Sequence, residues 1–506
     1  MMRSAFFLTL ACASLTHAQA RANWSGFGGD AQHSGWERTD PFINPESVKN
    51  LQLLWKMKLE PQAKGLRPLL PPAILGNTIT YRGFKELAFV GSSSDVVYAI
   101  DADLGRLFWQ KHLEYSTLEP PVTTASWACP GGMSATPVMP TPPPRGAPPA
   151  RGAAAPVGPA APPPARGPFA PVGIASVYAI SSDGRLHRLN TSTGDDIAQP
   201  VSVLPANSRV YSLNIADNVL YTYTSQDCDV QPNAVWAIDL NADPPKAVSY
   251  PLGPTSAWGL GGPTLGADGT VYVQTNDRLL ALAPRDLQLK NYFAAGGYST
   301  PAKDVDMNMP SPAVFTYKGR ELIVTGSRDG RLNLLDAATL GGGDHHTPLS
   351  RTAQIAAEGG SWGSLSHWDA MDGTPYILAS VWGTTGSVAA FKVQDEGGQL
   401  SIVPAWTSPA ISSSLPPVIA NGVVLVLGAG DFTRTVNAAG VVDEKPRPGT
   451  HATLFALDAA TGKELYSSKA QIPVPASLTG LSLANGRVYF GTTDGTEYCF
   501  GIFMEH

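Results

Sequence analysis

The sequence predicts an all-β protein made of repeated four-stranded units, and three observations support this prediction. One pattern recurs along all 506 residues: a turn, an aliphatic strand ending near an Asp, then a second turn and another strand. The chain contains 51 Gly and 45 Pro residues, which suit many tight turns between short strands. Only 15% of the residues are charged and 43% are apolar, which is typical of a globular protein with a large core.

The number of repeats sets the architecture. Clear copies begin at Asp95, Asp183, Asn233, Asp329 and His451, weaker copies at Asp277 and Gly386, and a shortened eighth copy at Asp494. Most copies follow another hairpin, so each unit of roughly 40 to 60 residues holds four strands. We therefore predict an eight-bladed β-propeller, although a count of seven blades is compatible with the pattern.

The eighth copy is too short for a complete blade. It reaches the end of the sequence without an outer strand, whereas the run LQLLWKMKLE from Leu51 forms an isolated strand near the beginning. Pairing these two segments would close the ring and leave no exposed sheet edge. The prediction is one propeller domain over residues 21–506, closed by its N- and C-terminal strands.

The first twenty residues have the pattern of a signal peptide. Arg3 precedes an apolar run, and the sequence AQA at residues 18–20 is a small-residue cleavage site. A lipoprotein signal at Cys12 is the alternative. No later stretch approaches the roughly 20 apolar residues of a membrane span. We expect residues 1–20 to be removed and the mature protein to be periplasmic or secreted.

Charge and cysteine content narrow the possible partners. The net charge is −6 and no cluster of Lys and Arg is present, so neither nucleic acid nor an anionic membrane is an expected partner. An oxidising compartment permits one disulfide among Cys129, Cys228 and Cys499. Cys129 and Cys228 lie in loop-like sequence, so we favour their pairing; three unpaired cysteines are the alternative.

One segment departs from the repeat. Residues 139–171 form a tract of Pro, Ala, Gly and Arg with no periodicity and almost no large apolar side chains. Such a tract cannot bury enough surface to become ordered, so we predict a disordered, extended insertion within one blade. A docking arm is the alternative to a neutral insertion.

Two groups of residues resemble the pyrroloquinoline quinone (PQQ) dehydrogenases, which are propeller enzymes. The run WSGFGGDAQHSGW from Trp24, followed by the Leu51 strand, resembles their opening. Blade endings such as DAATGKELY from Asp458 resemble the PQQ repeat. Non-enzymatic scaffolds of outer-membrane assembly carry the same repeat. The resemblance therefore implies the fold and leaves the chemistry to particular residues.

The strongest local resemblance to these dehydrogenases surrounds Asp304. Carried over to this sequence, Asp304 matches the catalytic base and Asp306 matches the extra metal ligand of the lanthanide-type enzymes. Arg328 matches the basic residue that contacts the quinone. The oxygen ligands Asp304 and Asp306 suit Ca²⁺ or a lanthanide, which are hard cations. Lys303 departs from the pattern, since the family has Trp there.

The preceding blades supply the rest of the implied site. Trp258 matches the aromatic floor beneath the quinone, and Asn276 matches a cation ligand at the separation that the family has. Asp227 or Asp229 is the candidate for the remaining acidic ligand, where the family usually has Glu. These positions complete a predicted metal set of Asp227, Asn276, Asp304 and Asp306.

Other polar and aromatic loops are expected to face the axis. Trp362, as a further cofactor contact, His367 and Asp369 are candidates for lining the funnel. The alternative is that each is a turn residue or, for the tryptophan, that it packs between blades. The adjacent Cys pair that lies over the quinone in many of these enzymes is missing. No Cys-x-x-Cys-His motif for a c-type haem is present, so electrons would leave through a separate carrier.

Two functions follow from the resemblance. The first is a quinoprotein that binds PQQ with Ca²⁺ or a lanthanide and oxidises an alcohol or sugar hydroxyl by hydride transfer, with Asp304 taking the proton. The second is a non-catalytic propeller that presents its loops to a protein or polymer partner. The missing Cys pair and Lys303 favour the scaffold, whereas Asp304, Asp306 and Arg328 together favour the enzyme, which we prefer.

Overall fold

A computed structural model confirms the all-β prediction. It describes residues 23–61, 65–113, 132–140, 167–171, 175–225, 233–253, 261–275, 277–295, 311–327, 329–355, 363–381, 386–436 and 442–503. Within these ranges the helical elements are two single turns of 3-10 helix, Ser47–Asn50 and Lys469–Gln471. No helix in the described part of the chain is long and apolar enough to cross a membrane.

The strands are numbered β1 to β34 in chain order, and each blade is one sheet. The first two strands are β1 (Trp36–Glu37) and β2 (Gln52–Lys58). Blade 1 contains β3 (Ala73–Thr80), β4 (Gly83–Gly91), β5 (Val96–Asp101) and β6 (Arg106–His112). Blade 2 contains β7 (Ser176–Ile180), β8 (Arg185–Asn190) and β9 (Val201–Ser202). A bridge from Val138 to Tyr178 takes the place of its innermost strand.

Blades 3 to 5 follow with four strands each. Blade 3 contains β10 (Arg209–Ala216), β11 (Val219–Ser225), β12 (Ala234–Asp239) and β13 (Lys246–Pro251). Blade 4 contains β14 (Thr264–Leu265), β15 (Val271–Gln274), β16 (Leu279–Leu282) and β17 (Leu289–Phe293). Blade 5 contains β18 (Ala313–Tyr317), β19 (Arg320–Ser327), β20 (Arg331–Asp336) and β21 (Ser350–Arg351).

Blades 6 to 8 complete the ring. Blade 6 contains β22 (Ser366–Asp369), β23 (Pro375–Val381), β24 (Ser387–Glu396) and β25 (Gln399–Thr407). Blade 7 contains β26 (Val418–Ala420), β27 (Val423–Gly428), β30 (Thr453–Asp458) and β31 (Glu464–Ser467), with the inserted hairpin β28 (Phe432–Val436) and β29 (Val442–Pro446). Blade 8 contains β32 (Ser482–Ala484), β33 (Arg487–Gly491), β34 (Thr496–Gly501) and β2.

The pairing of β2 with β34 closes the ring as predicted. The two strands are antiparallel, with Gln52 opposite Gly501 and Lys58 opposite Thr496. β2 therefore supplies the outer strand that the last repeat lacks. The eight-bladed propeller and its closure are confirmed.

The segment between Trp24 and β1 occupies the central channel. Its backbone bonds to the first strands of blade 1 at Ile74, blade 4 at Leu265 and blade 7 at Ile419, and it also bonds to blades 2, 3 and 6. The ring of Trp24 is buried and packs against Gly29, where a Cβ would lie 2.7 Å from the ring at a backbone φ of 83°. This segment, the axial plug, therefore ties together the innermost strands of six blades.

Strand alternation gives the propeller two different ends. Because neighbouring strands are antiparallel, the turns between the second and third strands lie at the same end as the connections between blades. We call this the upper end. The turns between the first and second strands, and between the third and fourth, lie at the lower end.

A tryptophan on the outer strand of one blade contacts a glycine in the next at three interfaces between blades. The pairs are Trp55 with Gly105, Trp109 with Gly194, and Trp406 with Gly462. Each indole also donates its N–H to a backbone carbonyl of the same turn, at 2.9 to 3.0 Å. The Gly of the repeat is therefore required because the indole ring occupies the space of a side chain.

Replacing Gly462 with Ala is expected to lower the free energy of unfolding by about 2 kcal/mol. Its Cβ would lie 2.4 Å from the Trp406 ring, at a backbone φ of 71°. Denaturant unfolding of Gly462→Ala measures the effect. Gly449→Ala, at a φ of 77° with no atom within 4 Å, is the control for backbone strain alone. Equal losses in the two variants would contradict a role for the indole contact.

The ends of the predicted insertion are packed in the structure. Met139 is buried, and so are Phe169 and Ala170. The Phe169 carbonyl accepts a hydrogen bond of 2.7 Å from the Tyr178 hydroxyl. Residues 141–166 lie outside the described residues, as do Cys129 and Cys228, while Cys499 is a buried free thiol.

Candidate functional site

The residues predicted for the quinone and metal site lie outside the described part of the structure. They are Asp227, Trp258, Asn276, Asp304, Asp306, Arg328 and Trp362. Their proposed roles therefore stay predictions. Among the residues that the structure does describe, no group of three or more His, Cys, Asp or Glu side chains is arranged to hold a metal ion.

The strands that border these gaps belong to blades 3 to 6. Three gaps lie between the second and third strands of blades 3, 4 and 5, and three others lie between successive blades. Both kinds of connection begin and end at the upper end of the propeller. A ligand site formed by the predicted residues would therefore open at that end.

The described residues form a cleft beside the axis at the upper end. It is narrow, with a cavity volume of about 30 Å³. Its walls come from the axial plug, from the beginnings of blades 1 to 3 and from the connection into blade 8: Phe27, Arg67, Leu70, Pro71, Ser134, Thr136, Arg209, Val210, Tyr211, Ser212 and Thr479. Two guanidinium groups line this axial cleft, and its described walls contain no carboxylate.

The guanidinium of Arg209 lies over a pair of stacked tyrosine rings. Its guanidinium lies 5.2 Å from the centre of the Tyr211 ring, and Tyr211 stacks on Tyr223 with ring centres 4.6 Å apart. A cation over an aromatic face is attracted by the ring quadrupole. Arg209 is only 3% exposed, so its guanidinium is largely shielded from water.

Hydroxyl groups complete the polar lining of the axial cleft. The Ser134 hydroxyl donates to the Val210 carbonyl and accepts from the Val210 N–H, both at 2.9 Å, which joins blade 2 to blade 3. The Ser212 hydroxyl is buried without a hydrogen-bond partner. Two guanidinium groups and an unpartnered hydroxyl form a donor set suited to a carboxylate group.

His33 of the axial plug lies close to Gly261 and Ser311, which are the first described residues after two of the gaps. A Cβ on Gly261 would lie 3.2 Å from His33 Nδ1 and 3.0 Å from the Ser311 hydroxyl. Burial lowers the pKa of His33 to about 4, against the opposing effect of Asp30. The imidazole is therefore neutral at pH 7, and its buried Nδ1 has no hydrogen-bond partner.

A Ser–His–Asp arrangement in blade 2 has the spacing of a catalytic triad. His187 Nδ1 lies 2.9 Å from Asp196 Oδ1, and His187 Nε2 lies 3.2 Å from Ser181 Oγ. However, the Ser181 hydroxyl donates to Asp183 rather than to His187, and Ser181 is buried. A nucleophile needs its proton directed at the base, so this geometry does not favour catalysis.

Blade 5 repeats the same contacts without a histidine. The Ser327 hydroxyl donates to Asp329 at 2.6 Å and accepts from Asn333 Nδ2 at 3.2 Å. Asn333 occupies the repeat position of His187. The Ser181 arrangement is therefore a structural tie at the second-to-third strand turn.

Replacing His187 with Asn should change the free energy of unfolding by less than about 1 kcal/mol, because Asn can donate to Ser181 as Asn333 does to Ser327. His187→Leu should cost about 1–3 kcal/mol, since it leaves buried polar groups without a donor. Denaturant unfolding of both variants provides the measurement. Hydrolysis of an activated ester that is lost in His187→Asn would instead support a catalytic triad.

His367 and Asp369 do not line a funnel at the axis. His367 is buried, stacked on Phe315 with ring centres 4.6 Å apart and edge-on to Trp36. Its Nε2 lies 3.0 Å from Asp369 Oδ1, and Asp369 is the last residue of β22, towards the lower end. His367 therefore packs between blades 5 and 6, whereas Asp369 is partly exposed at the end of its strand.

Sequence reasoning did not identify Arg67 and Arg209 as candidate binding residues. Both stand at or just before the first strand of a blade, in runs that are otherwise rich in apolar residues. An arginine at the beginning of an innermost strand is the signal that was available, because the first strands of a propeller border its axis.

Comparison with known proteins adds information about the fold. No family model matches the sequence, and no curated protein is significantly similar to it. The structure is similar to quinohemoprotein alcohol dehydrogenase from Comamonas testosteroni, with a TM-score of 0.54 and 16% identity over 96% of this chain and 81% of that one.

Two further structures have the same architecture. A europium-containing methanol dehydrogenase aligns with a TM-score of 0.54 and 12% identity over 95% of this chain and 98% of that one. BamB from Moraxella catarrhalis aligns with a TM-score of 0.50 and 15% identity over 90% of this chain and 99% of that one. The chain is therefore an eight-bladed propeller with the fold of alcohol and methanol dehydrogenases and of BamB. At these identities the likeness extends to the fold alone.

Proposed function

We propose that this protein is an exported quinoprotein that binds PQQ and a hard cation at the upper end of the propeller. The observation that carries the proposal is the axial cleft, in which Arg67 and Arg209 face a common space with no described carboxylate. PQQ is a planar tricarboxylate, and such an anion needs guanidinium and hydroxyl donors. The cation, Ca²⁺ or a lanthanide, would be held by Asp227, Asn276, Asp304 and Asp306.

Each described group has a defined task in this proposal. Arg67 and Arg209 bind the cofactor's carboxylates, and the Tyr211 stack holds Arg209 in a fixed orientation. The axial plug fills the channel below, so that water does not reach the site along the axis. Bound PQQ supplies a hydride acceptor, and the predicted base Asp304 takes the proton from the hydroxyl of an alcohol or sugar. A separate carrier then receives the electrons.

Titration of the purified protein with PQQ, in the presence of Ca²⁺ or La³⁺, tests the proposal. We expect stoichiometric, metal-dependent binding that Arg209→Gln weakens by about 10- to 100-fold, because a charge-assisted contact is lost. Arg285→Gln, an exposed change in blade 4, is the matched control. Arg209→Lys, which keeps the charge but not the planar fork, should lie between the two.

Turnover is measured separately, as dye-linked oxidation of a panel of small alcohols and sugars. Asp304→Ala should abolish oxidation, and the panel identifies the substrate class. Absence of PQQ binding with either metal would reject the quinoprotein and leave the alternative, a propeller scaffold with a protein or polymer partner.

A further inference from the structure

The hairpin of β3 and β4 extends further from the lower end than the matching hairpins of other blades. In blades 3, 4, 7 and 8 the first residue of the second strand is already paired with the third strand, as Val219 is with Asp239. In blade 1, β4 begins at Gly83, but its pairing with β5 begins only at Leu87. The tip therefore projects about 10 Å beyond β5.

The projecting tip is apolar on both sides. Ile79 and Phe84 are paired across the hairpin and are 74% and 72% exposed. By strand alternation Phe84 lies on the same face as Ala88, which packs towards blade 8. Tyr81, 67% exposed, lies on the other side, where its ring contacts Phe108, a residue that packs towards blade 2.

The tip also carries a guanidinium held in place by aromatic rings. Arg82 lies 5.0 Å from the centre of the Tyr81 ring and 5.3 Å from that of Phe108. Among the described residues no carboxylate pairs with Arg82, whereas its neighbour Lys85 pairs with Asp101 at 2.7 Å. The Arg82 side chain is exposed, and an exposed guanidinium can bind a phosphate.

Exposed apolar side chains concentrate on this blade. Five of the nine large apolar side chains that are strongly exposed in the described chain belong to blade 1, where Leu104 and Leu107 join the three at the tip. Leu104 lies in the third-to-fourth strand turn, at the same lower end. Clustered exposure of this kind marks an interaction surface, whereas isolated exposed residues are ordinary.

We propose that this hairpin tip inserts into the interface of a phospholipid bilayer. Apolar side chains are exposed on both sides of the tip, beside the exposed Arg82, and a lipid interface matches this combination with acyl chains and phosphates. Tyr and Arg are favoured at headgroup depth, where Arg82 would bind a lipid phosphate. Because the chain has no cluster of basic residues, binding comes mainly from the apolar tip and is weakly dependent on salt.

Flotation with phosphatidylethanolamine–phosphatidylglycerol vesicles tests this proposal. We expect the wild-type protein to float with vesicles at low salt and at high salt alike. The triple variant Ile79→Ser/Tyr81→Ser/Phe84→Ser should lower the bound fraction about tenfold, because the apolar surface is removed. Met371→Ser is the matched control, since Met371 is fully exposed at the lower end of blade 6 but lies on a turn that does not project.

A second variant tests whether weaker vesicle binding could result from unfolding of the hairpin. Ile79→Ser/Phe84→Ser leaves the stack of Tyr81, Arg82 and Phe108 intact and should still weaken vesicle binding. The proposal is wrong if the wild-type protein fails to float, or if both variants float as it does. It is also wrong if the tip instead joins two copies of the chain, seen as a mass by light scattering that doubles in the wild type alone. None of these measurements uses PQQ, so their outcome is independent of the proposed function.

Discussion

Replacing Arg487 with Met is expected to lower the free energy of unfolding by about 3–5 kcal/mol. Arg487 lies between blades 8 and 1, 3.1 Å from Glu86 and 2.7 Å from Asp103. Glu86 is fully buried and also accepts hydrogen bonds from the Tyr489 hydroxyl and from Asn485. Removing the guanidinium leaves this carboxylate without its cation, and a buried unpaired charge is costly.

Denaturant unfolding at pH 7 gives the size of this effect, and two further variants identify its cause. The double variant Glu86→Gln/Arg487→Met removes both charges and should recover most of the loss. Asp103→Asn changes the more exposed partner and should cost about 0–1 kcal/mol. If the double variant is as unstable as Arg487→Met alone, lost packing rather than the unpaired charge explains the result.

Replacing Glu497 with Met is expected to stabilise the protein at pH 8, and to do so by much less at pH 5. Glu497 lies in β34 of blade 8, is fully buried, and neither carboxylate oxygen has a hydrogen-bond partner. Burial raises its pKa well above the usual 4.5. The folded protein therefore holds this proton more firmly than the unfolded chain does.

The sign of the pH dependence follows from that difference. The contribution of Glu497 to stability is greatest below pH 4.5, the ordinary pKa of a glutamate. It falls by about 1.4 kcal/mol per pH unit as the pH rises towards the folded-state pKa. Unfolding curves of the wild type and Glu497→Met, compared from pH 5 to pH 8, isolate the contribution. Glu464→Met, an exposed change on the neighbouring blade, should leave the pH dependence unaltered. Parallel curves for the wild type and Glu497→Met would show that Glu497 does not titrate differently on folding.

The sequence was sufficient for the ring and its closure because both depend on local patterns. The repeat copy that begins at His451 shows a turn and two strands, and the shortened copy at Asp494 shows that one strand is missing. The indole contacts were beyond this reasoning. That Trp406 meets Gly462 depends on how two blades are stacked, and no local periodicity encodes it.

The site was less accessible to sequence reasoning than the fold. Motif comparison selects Asp304, which lies outside the described residues, whereas the described lining of the axial cleft includes strand residues such as Arg209. The Ser181 arrangement shows the opposite problem. Its residue types suggest catalysis, and only the direction of the serine hydroxyl and the equivalent contacts at Ser327 reveal a structural role.

The ring cannot close until its most distant parts have met. The Gly486 N–H bonds to Asp40 across 446 residues of sequence, and the axial plug bonds to the innermost strands of six blades. Contacts this distant slow folding, and blade 8 cannot be completed until β34 is available to pair with β2. A chain of this kind stays open until its last strand is available.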